Sequence, residues 1–377
     1  MYTRMSYNKK VVFLVTSNSS VNLFYLPQMK KLSENGFEVE LICGPGTLDH
    51  QVYSIVSQVH VIRNLKRNFS GLKDVLALIK IIKSLKKSKP NLVIYATPKA
   101  ALIGSLAAYI LRINYRIYQI WGIRWQNSSG LARLIVKSAD VMAVKFSTNV
   151  IVVSNSVFSY LKNNIAVEKM RVLGNGSTAG VDKSVFFTDK KEKLNPDNII
   201  LGYAGRIAKD KGIEDLVNVF EKLSNNREII LELIGDLDLT DLISQEVILR
   251  IRNNPRIKWI NNLDQFELAE RMRQWQAQIF LSKREGLGNV ILEAGSCGIP
   301  TFCWNTIGTM DAIPDFAKFL LIDRYNYKVL IQSIEKYLKQ PFSKAEKQEF
   351  SNWYITNFNQ EFVLESFYSY IRSLEIK

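Results

Sequence analysis

Short, almost wholly apolar runs recur along this 377-residue chain, and each is followed by a stretch with helical spacing. KVVFLVT (Lys10–Thr16), FEVELICG, VHVIRN, NLVIYAT, YRIYQIW and NVIVVSN are the runs of the first half. Between them lie NLFYLPQMKKLSENG, stopped by Gly36, and GLKDVLALIKIIKSLKKSK, stopped by Pro90. A strand that is apolar on both faces suits a parallel sheet covered by helices on either side. Alternation of such strands with helices predicts a doubly wound α/β sheet.

The pattern then starts again. NIILGYAG, EIILELIG, IKWINN, AQIFLS and PTFCWN read as strands, with GIEDLVNVFEKLSNN, FELAERMRQWQ and GNVILEAGSCG as helices between them. A chain this long exceeds one ordinary core. Two tandem domains are therefore predicted, residues 1–176 and 177–352, joined near 174–185. The last stretch, 353–377, reads as an amphipathic helix that crosses back onto the first domain.

Charge is divided unequally. Residues 1–176 hold 24 Lys and Arg against 7 Asp and Glu, a net +17, whereas the whole chain carries +15. The basic half predicts a polyanionic partner: anionic lipid, a phosphorylated substrate or nucleic acid. No nucleic-acid motif accompanies it, so nucleic acid is not the expected partner. LIKIIKSLKKSK (Leu78–Lys89) interleaves apolar residues with five lysines, which suits a helix with a solvated face or one lying on an anionic membrane. No apolar run reaches the ~18–20 residues that span a bilayer; the twelve of AALIGSLAAYIL suit a buried helix. The opening MYTRMSYNKKVVFLV has too short an apolar run for a signal peptide. Three ill-spaced cysteines, Cys43, Cys297 and Cys303, exclude a disulfide or zinc framework. A cytoplasmic location is the expectation, with peripheral attachment at the inner membrane face as an option.

Neither half has G-x-G-x-x-G after its first strand; the loop after VVFLVT is SNSSVN. That counts against a dinucleotide redox enzyme. The second half carries a different set. In REGLGNVILEAGSCGIP, Glu285 follows a strand, Gly286, Leu287, Gly288 and Asn289 form a turn, and Glu293 lies about one turn into the next helix. Carboxylates only accept hydrogen bonds, and a polyol is rich in donors. The helix start offers free N–H groups to an anion or hydroxyl. In GYAGRIAKDKG, Arg206 follows Gly205 at a strand end and Lys211 precedes a helix, a pairing suited to a diphosphate. Hydroxyl readers on one loop and phosphate readers on another describe a nucleotide-diphosphate sugar. The D-x-D of GDLDLTD reads as a turn-forming acidic loop rather than a metal site.

G-R-x-x-x-x-K-G at Gly205–Gly212, and E-G-x-x-N-x-x-x-E-A at Glu285–Ala294 followed by CGIP, resemble the family 4 glycosyltransferases of GT-B fold. KPNLVIYATPKAALIGSLAA and VLGNGSTAGVD resemble the branch that builds capsule, O-antigen and related polysaccharides. The resemblance implies two facing Rossmann-like domains with an interdomain cleft, an acceptor-binding first domain and a donor-binding second. It implies a retaining enzyme that needs neither metal nor cofactor, with a UDP-linked donor and a polyprenyl-diphosphate-linked or growing glycan acceptor. Arg206 and Lys211 would neutralise the leaving diphosphate, Glu285 would contact the donor sugar, Glu293 the ribose, and the backbone from Gly286 to Asn289 sugar and phosphate. Many relatives have a His-Gly pair where this chain has Trp121-Gly122, and its only histidines are His50 and His60. Lys99, Trp121 and Arg124 are the candidates for acceptor binding. Two alternatives share parts of this pattern: a UDP-sugar epimerase of the same architecture, disfavoured by the scarcity of histidine, and a non-catalytic membrane or nucleic-acid adaptor using the basic half.

Overall fold

The structure, a computed structural model, describes residues 9–66, 70–127, 129–165, 168–188, 199–225 and 228–376. The opening eight residues, part of the stretch read for a signal peptide, lie outside them. The chain divides into two compact units, Met1–Gly180 with Glu361–Lys377, and Val181–Gln360.

The first unit is built on seven strands: β1 (Lys9–Val15), β2 (Phe37–Cys43), β3 (Gln58–Val61), β4 (Leu92–Ala96), β5 (Tyr115–Ile120), β6 (Asn149–Val152) and β7 (Met170–Val172). They lie in the order β3-β2-β1-β4-β5-β6-β7, every pair parallel. The helices are α1 (Asn18–Ser20), α2 (Leu26–Glu34), α3 (His50–Ile55), α4 (Leu72–Ser88), α5 (Pro98–Ile110), α6 (Gly130–Phe146) and α7 (Asn155–Asn164). Parallel strands need right-handed crossovers, and the strand order reverses at β1. The helices that follow β3, β4 and β5 therefore share one face of the sheet. Among them α5 packs against both α4 and α6 and is buried along most of its length, as its uniformly apolar sequence requires. Helix α4 buries Ala77, Ile81 and Leu85, one stripe at four-residue spacing, and ends where Lys89 turns left-handed before Pro90.

The second unit repeats the plan with β8 (Ile199–Ala204), β9 (Ile229–Ile234), β10 (Ile257–Ile260), β11 (Ala277–Phe280), β12 (Thr301–Trp304) and β13 (Leu321–Ile322). Their order is β10-β9-β8-β11-β12-β13, again all parallel. Its helices are α8 (Ile213–Ser224), α9 (Gln245–Asn253), α10 (Gln265–Gln274), α11 (Asn289–Ser296), α12 (Tyr327–Lys339) and α13 (Lys344–Phe358). The chain ends in α14 (Gln360–Ser373). The two short edge strands β7 and β13 have no counterpart in the sequence reading; two or three residues carry no periodicity.

The tail corrects an expectation. Residues 353–377 are not one helix returning to the first unit. Asn359 leaves helical geometry, at φ −60° and ψ 147°, and pairs as an isolated bridge with Val181. Val181 N–H donates to Phe358 and Gln360 N–H to Val181, both at 2.8 Å. Before that break, Tyr354 packs so closely on Gly295 that a Cβ there would lie 2.2 Å from its ring. Beyond it, Phe367, Tyr370 and Ile371 join the core of the first unit beside Val11, Phe13 and Ile117, and Tyr370 accepts a 2.7 Å bond from Asn149. The break carries neither Pro nor Gly, so no local signal in the sequence marks it. The unit boundary falls after Gly180, within the join expected near 174–185 and four residues past the bound at 176.

Candidate functional site

In the second unit the strand order reverses at β8, whose neighbour on the far side is β11. Ligands of open parallel sheets bind at the carboxyl edge beside such a reversal. The loops that leave this edge are Gly205–Gly212 after β8 and Leu281–Gly288 after β11, the two motifs of the sequence. They touch. Gly212, at φ +71°, has no room for a side chain, since a Cβ would lie 2.1 Å from the carbonyl oxygen of Leu281. Lys283 N–H donates to the Asp210 carbonyl at 2.9 Å.

That contact brings the charges together. Lys211 Nζ lies 2.6 Å from Glu285 Oε1, with the Phe280 ring 5.9 Å away. Both side chains are mostly buried. Arg206 pairs with Asp238 through Nη1 and reaches Asp210 Oδ2 at 3.5 Å through Nη2. Arg284 Nη2 approaches the same oxygen at 3.1 Å. The Tyr203 hydroxyl donates to the Arg206 carbonyl at 2.8 Å and fixes the start of the loop. Three cations therefore interleave with three carboxylates across three loops, those after β8, β9 and β11. Burial works against ionisation of Arg206, Asp210 and Asp238 but is outweighed: Asp210 and Asp238 push the Arg206 guanidinium up, the charges of Lys211, Arg206 and Arg284 push Asp210 down, and hydrogen bonds from Thr240 together with the charge of Arg206 push Asp238 down. Arg206 keeps 41 % of its side chain exposed, so its outer edge is open to an arriving anion.

Asp210, Asp238 and Arg284 are partners that the motif reading missed. Asp210 stands four residues after Arg206, and Arg284 directly before Glu285, so a search for opposite charges near the motif would have found them. Asp238 belongs to the D-x-D loop. Its Oδ1 accepts from Thr240 N–H and hydroxyl at 2.8 and 2.6 Å, while Asp236 Oδ1 accepts from Asn262 N–H. Asp238 thus shapes its own turn, and Asp236 ties this loop to the segment after β10.

Gly286, Leu287 and Gly288 are buried and Asn289 is half-buried at the first position of α11. Gly288 caps that helix in the left-handed region, φ +79°, where only glycine is at ease. Glu293 follows one turn in. Part of the residue stays accessible, yet protein atoms crowd its carboxyl enough that desolvation pushes its pKa up to about 7.

The first unit treats its candidates differently. Lys99 is not a loop cation: it sits in the first turn of α5, 1 % exposed, and pairs with Asp74 of α4. The ammonium cross-links two helices, so the acceptor-phosphate role expected of it is withdrawn. Trp125 is fully buried and donates to Asp140 at 3.0 Å. Tyr118 donates to the other oxygen at 2.8 Å. Burial of Asp140 raises its pKa to about 7 against the opposing pull of those bonds and of Arg124. Asp140 thus anchors, from below, the loop that carries Arg124, which is partly exposed. Trp121 is half-buried beside Phe24 and Tyr25, with ring centroids at 4.9 Å in both cases. It opens a buried relay: Trp121 donates to Gln119 at 3.1 Å, Gln119 to Gln28 at 2.8 Å, and Gln28 to the Thr178 carbonyl at 2.9 Å. His50 begins α3 and His60 lies in β3, neither on the loop that follows β5.

A two-sheet α/β chain with this charged reversal point in its second unit belongs to the GT-B class. Residues 10–154 match the model of the glycosyl transferase 4-like family, and residues 185–352 that of glycosyl transferases group 1. The chain is 31 % identical over 339 residues to the capsular polysaccharide biosynthesis glycosyltransferase CapM of Staphylococcus aureus, covering 87 % of each. It is 24 % identical over 310 residues, 77 % of each, to the UDP-Gal:alpha-D-GlcNAc-diphosphoundecaprenol alpha-1,3-galactosyltransferase of Escherichia coli. Among solved structures, Anabaena Alr3699/HepE in complex with UDP and glucose superposes with a TM-score of 0.78 at 19 % identity, over 97 % of this chain and all of that one. The chain belongs to the family 4 glycosyltransferases and has their GT-B fold.

Proposed function

We propose that this glycosyltransferase moves a hexosyl group from a UDP-sugar to a polyprenyl-diphosphate-linked or growing glycan acceptor in the synthesis of a bacterial surface polysaccharide. Anomeric configuration is retained and no bound metal takes part. The observation that carries the reading is the convergence of Arg206, Lys211 and Glu285 at the carboxyl edge of the second sheet, where its strand order reverses. The names of its relatives support it: one makes capsule, and another takes UDP-galactose and a diphosphoundecaprenol-linked acceptor.

In this reading the donor diphosphate lies against Arg206 and Lys211. The bond between the sugar's anomeric carbon and the diphosphate breaks, and one forms to an acceptor hydroxyl oxygen. The hydroxyl proton leaves with the diphosphate. Charge builds on the departing oxygens, and two fixed cations aimed there stabilise it without reorganising. Glu285 holds Lys211 in place and accepts from sugar hydroxyls with its remaining lone pairs. Glu293 accepts from the ribose, and the backbone from Gly286 to Asn289 lines sugar and phosphate. Trp121 and Arg124 face the acceptor. Arg206→Ala, assayed with UDP-, GDP- and dTDP-sugars by thermal shift and by turnover, tests this. The UDP-sugar should stabilise the parent chain and fail to stabilise the variant. Equal stabilisation and turnover by the variant would remove the assignment.

A further inference from the structure

Two helices of the first unit break the usual rule for a helix lying on a sheet. Their outward faces should be polar. In α4, Leu72, Val75, Leu76 and Ile79 stand at i, i+3, i+4 and i+7, across the helix from the buried Ala77, Ile81 and Leu85. All four are exposed, Leu72 by 84 %. In α6, Leu131, Leu134, Ile135 and Met142 form the same kind of stripe, across from buried Ala139, Asp140 and Ala143, with Leu131 72 % exposed. The two helices flank α5 on one face of the sheet. Each runs back from the carboxyl edge, so the apolar N-terminal halves both lie at the edge that carries Trp121 and Arg124.

The charge around them has one sign. From His50 to Lys145 there are sixteen Lys and Arg and two acids, Asp74 and Asp140. Asp74 is paired with Lys99 and Asp140 is buried under Trp125. Exposed Lys80, Lys83, Lys86 and Lys87 continue the outward face of α4 beyond its apolar half, and exposed Lys145 closes α6. A second copy of the chain would set these lysines against each other. An anionic surface with an apolar interior satisfies both halves of the stripe.

We infer that the outer faces of α4 and α6 together form a docking surface for an anionic lipid bilayer, with the leucine-rich halves inserted and the lysines at the headgroups. The surface extends the proposed function, since it sets the acceptor loop beside the leaflet that would hold a lipid-linked acceptor, and it rests on that reading only for this purpose.

The test is co-flotation of the full chain with vesicles of phosphatidylcholine, alone or mixed equally with phosphatidylglycerol. Binding to the mixed vesicles is expected, weakened by salt and much weaker on phosphatidylcholine alone. L72S/L76S on α4 and L131S/L134S on α6 should each lower the partition coefficient about tenfold or more, and K80E/K83E by a similar factor. Because these side chains are exposed, all three variants should melt like the parent and keep the same thermal shift with UDP. Unchanged vesicle binding by the apolar variants, or binding indifferent to lipid charge, overturns the inference. So does a lipid-free dimer that L72S/L76S dissolves, because the stripe would then belong to a second copy. Vesicle binding that persists in a chain lacking any sugar-nucleotide turnover sinks the proposed reaction and leaves this surface standing.

Discussion

The two units share a topology and use their charged residues in opposite ways. In the second, Arg206, Lys211 and Glu285 sit on loops at the carboxyl edge, in a network with three cations and three carboxylates. In the first, Lys99 is drawn into the scaffold, where it ties α5 to α4, and buried Asp140 anchors Trp125 and Tyr118, while Arg124 stays partly exposed. The difference is one of place. A charge on a strand-end loop can exchange a protein partner for a ligand. A charge in the first turn or middle of a packed helix is committed to its neighbours, since leaving it unpaired there costs several kcal/mol. Equal topology therefore does not make equal sites.

The comparison can be broken at its strongest point first. Lys211→Ala should cut turnover by about 10²–10³ while leaving the melting temperature close to that of the parent. A loss of stability in place of activity would put Lys211 in the same class as Lys99.

Asp140→Asn is the matching test in the first unit. An amide offers one acceptor oxygen where two donors arrive, so Tyr118 or Trp125 is left unsatisfied, at a cost of about 1–3 kcal/mol. The variant should also change the pH dependence of unfolding. An unfolded aspartate titrates near ~3.9, and in the folded chain burial raises Asp140 to about 7. The folded state therefore holds the proton more tightly, and its contribution to stability, full below the unfolded value, is lost as pH rises through about 7. Chemical denaturation across that window should show a shallower slope for the asparagine variant than for the parent. A slope that stays the same would show that Asp140 titrates normally.

The smallest effect is expected at Glu293. If its ionised carboxyl accepts from donor hydroxyls, donor affinity should weaken as pH falls through about 7, by at most about tenfold per pH unit. Glu293→Gln should bind the donor more weakly at high pH and lose that dependence. Identical pH profiles in parent and variant would assign the titration to another group.

Much of this was legible in the residues. Apolar runs of strand length, separated by helical spacing and repeated twice, dictate two parallel sheets, because only burial on both faces suits such strands. The two motifs Gly205–Gly212 and Glu285–Ala294 name the loops of the site, since glycine there answers a steric demand: at Gly212 a Cβ would strike Leu281. The sequence also carries the excess of positive charge in the first unit.

Which partner each charge meets was decided only by the tertiary structure. Lys99 and Lys211 both follow a strand, in TPK and KDKG, and neither stretch names the partner its lysine meets. One is turned inward by a helix that starts immediately and finds Asp74; the other stays on a loop and finds Glu285, seventy-four residues away. The break at Asn359 has the same origin, a pairing with Val181 far back in the chain. Periodicity reports which face of a segment is apolar, because that is fixed by the spacing of neighbours. Ion pairs, and the direction in which a helix leaves one unit for the next, depend on residues distant in sequence, whose positions exist only once both sheets have formed.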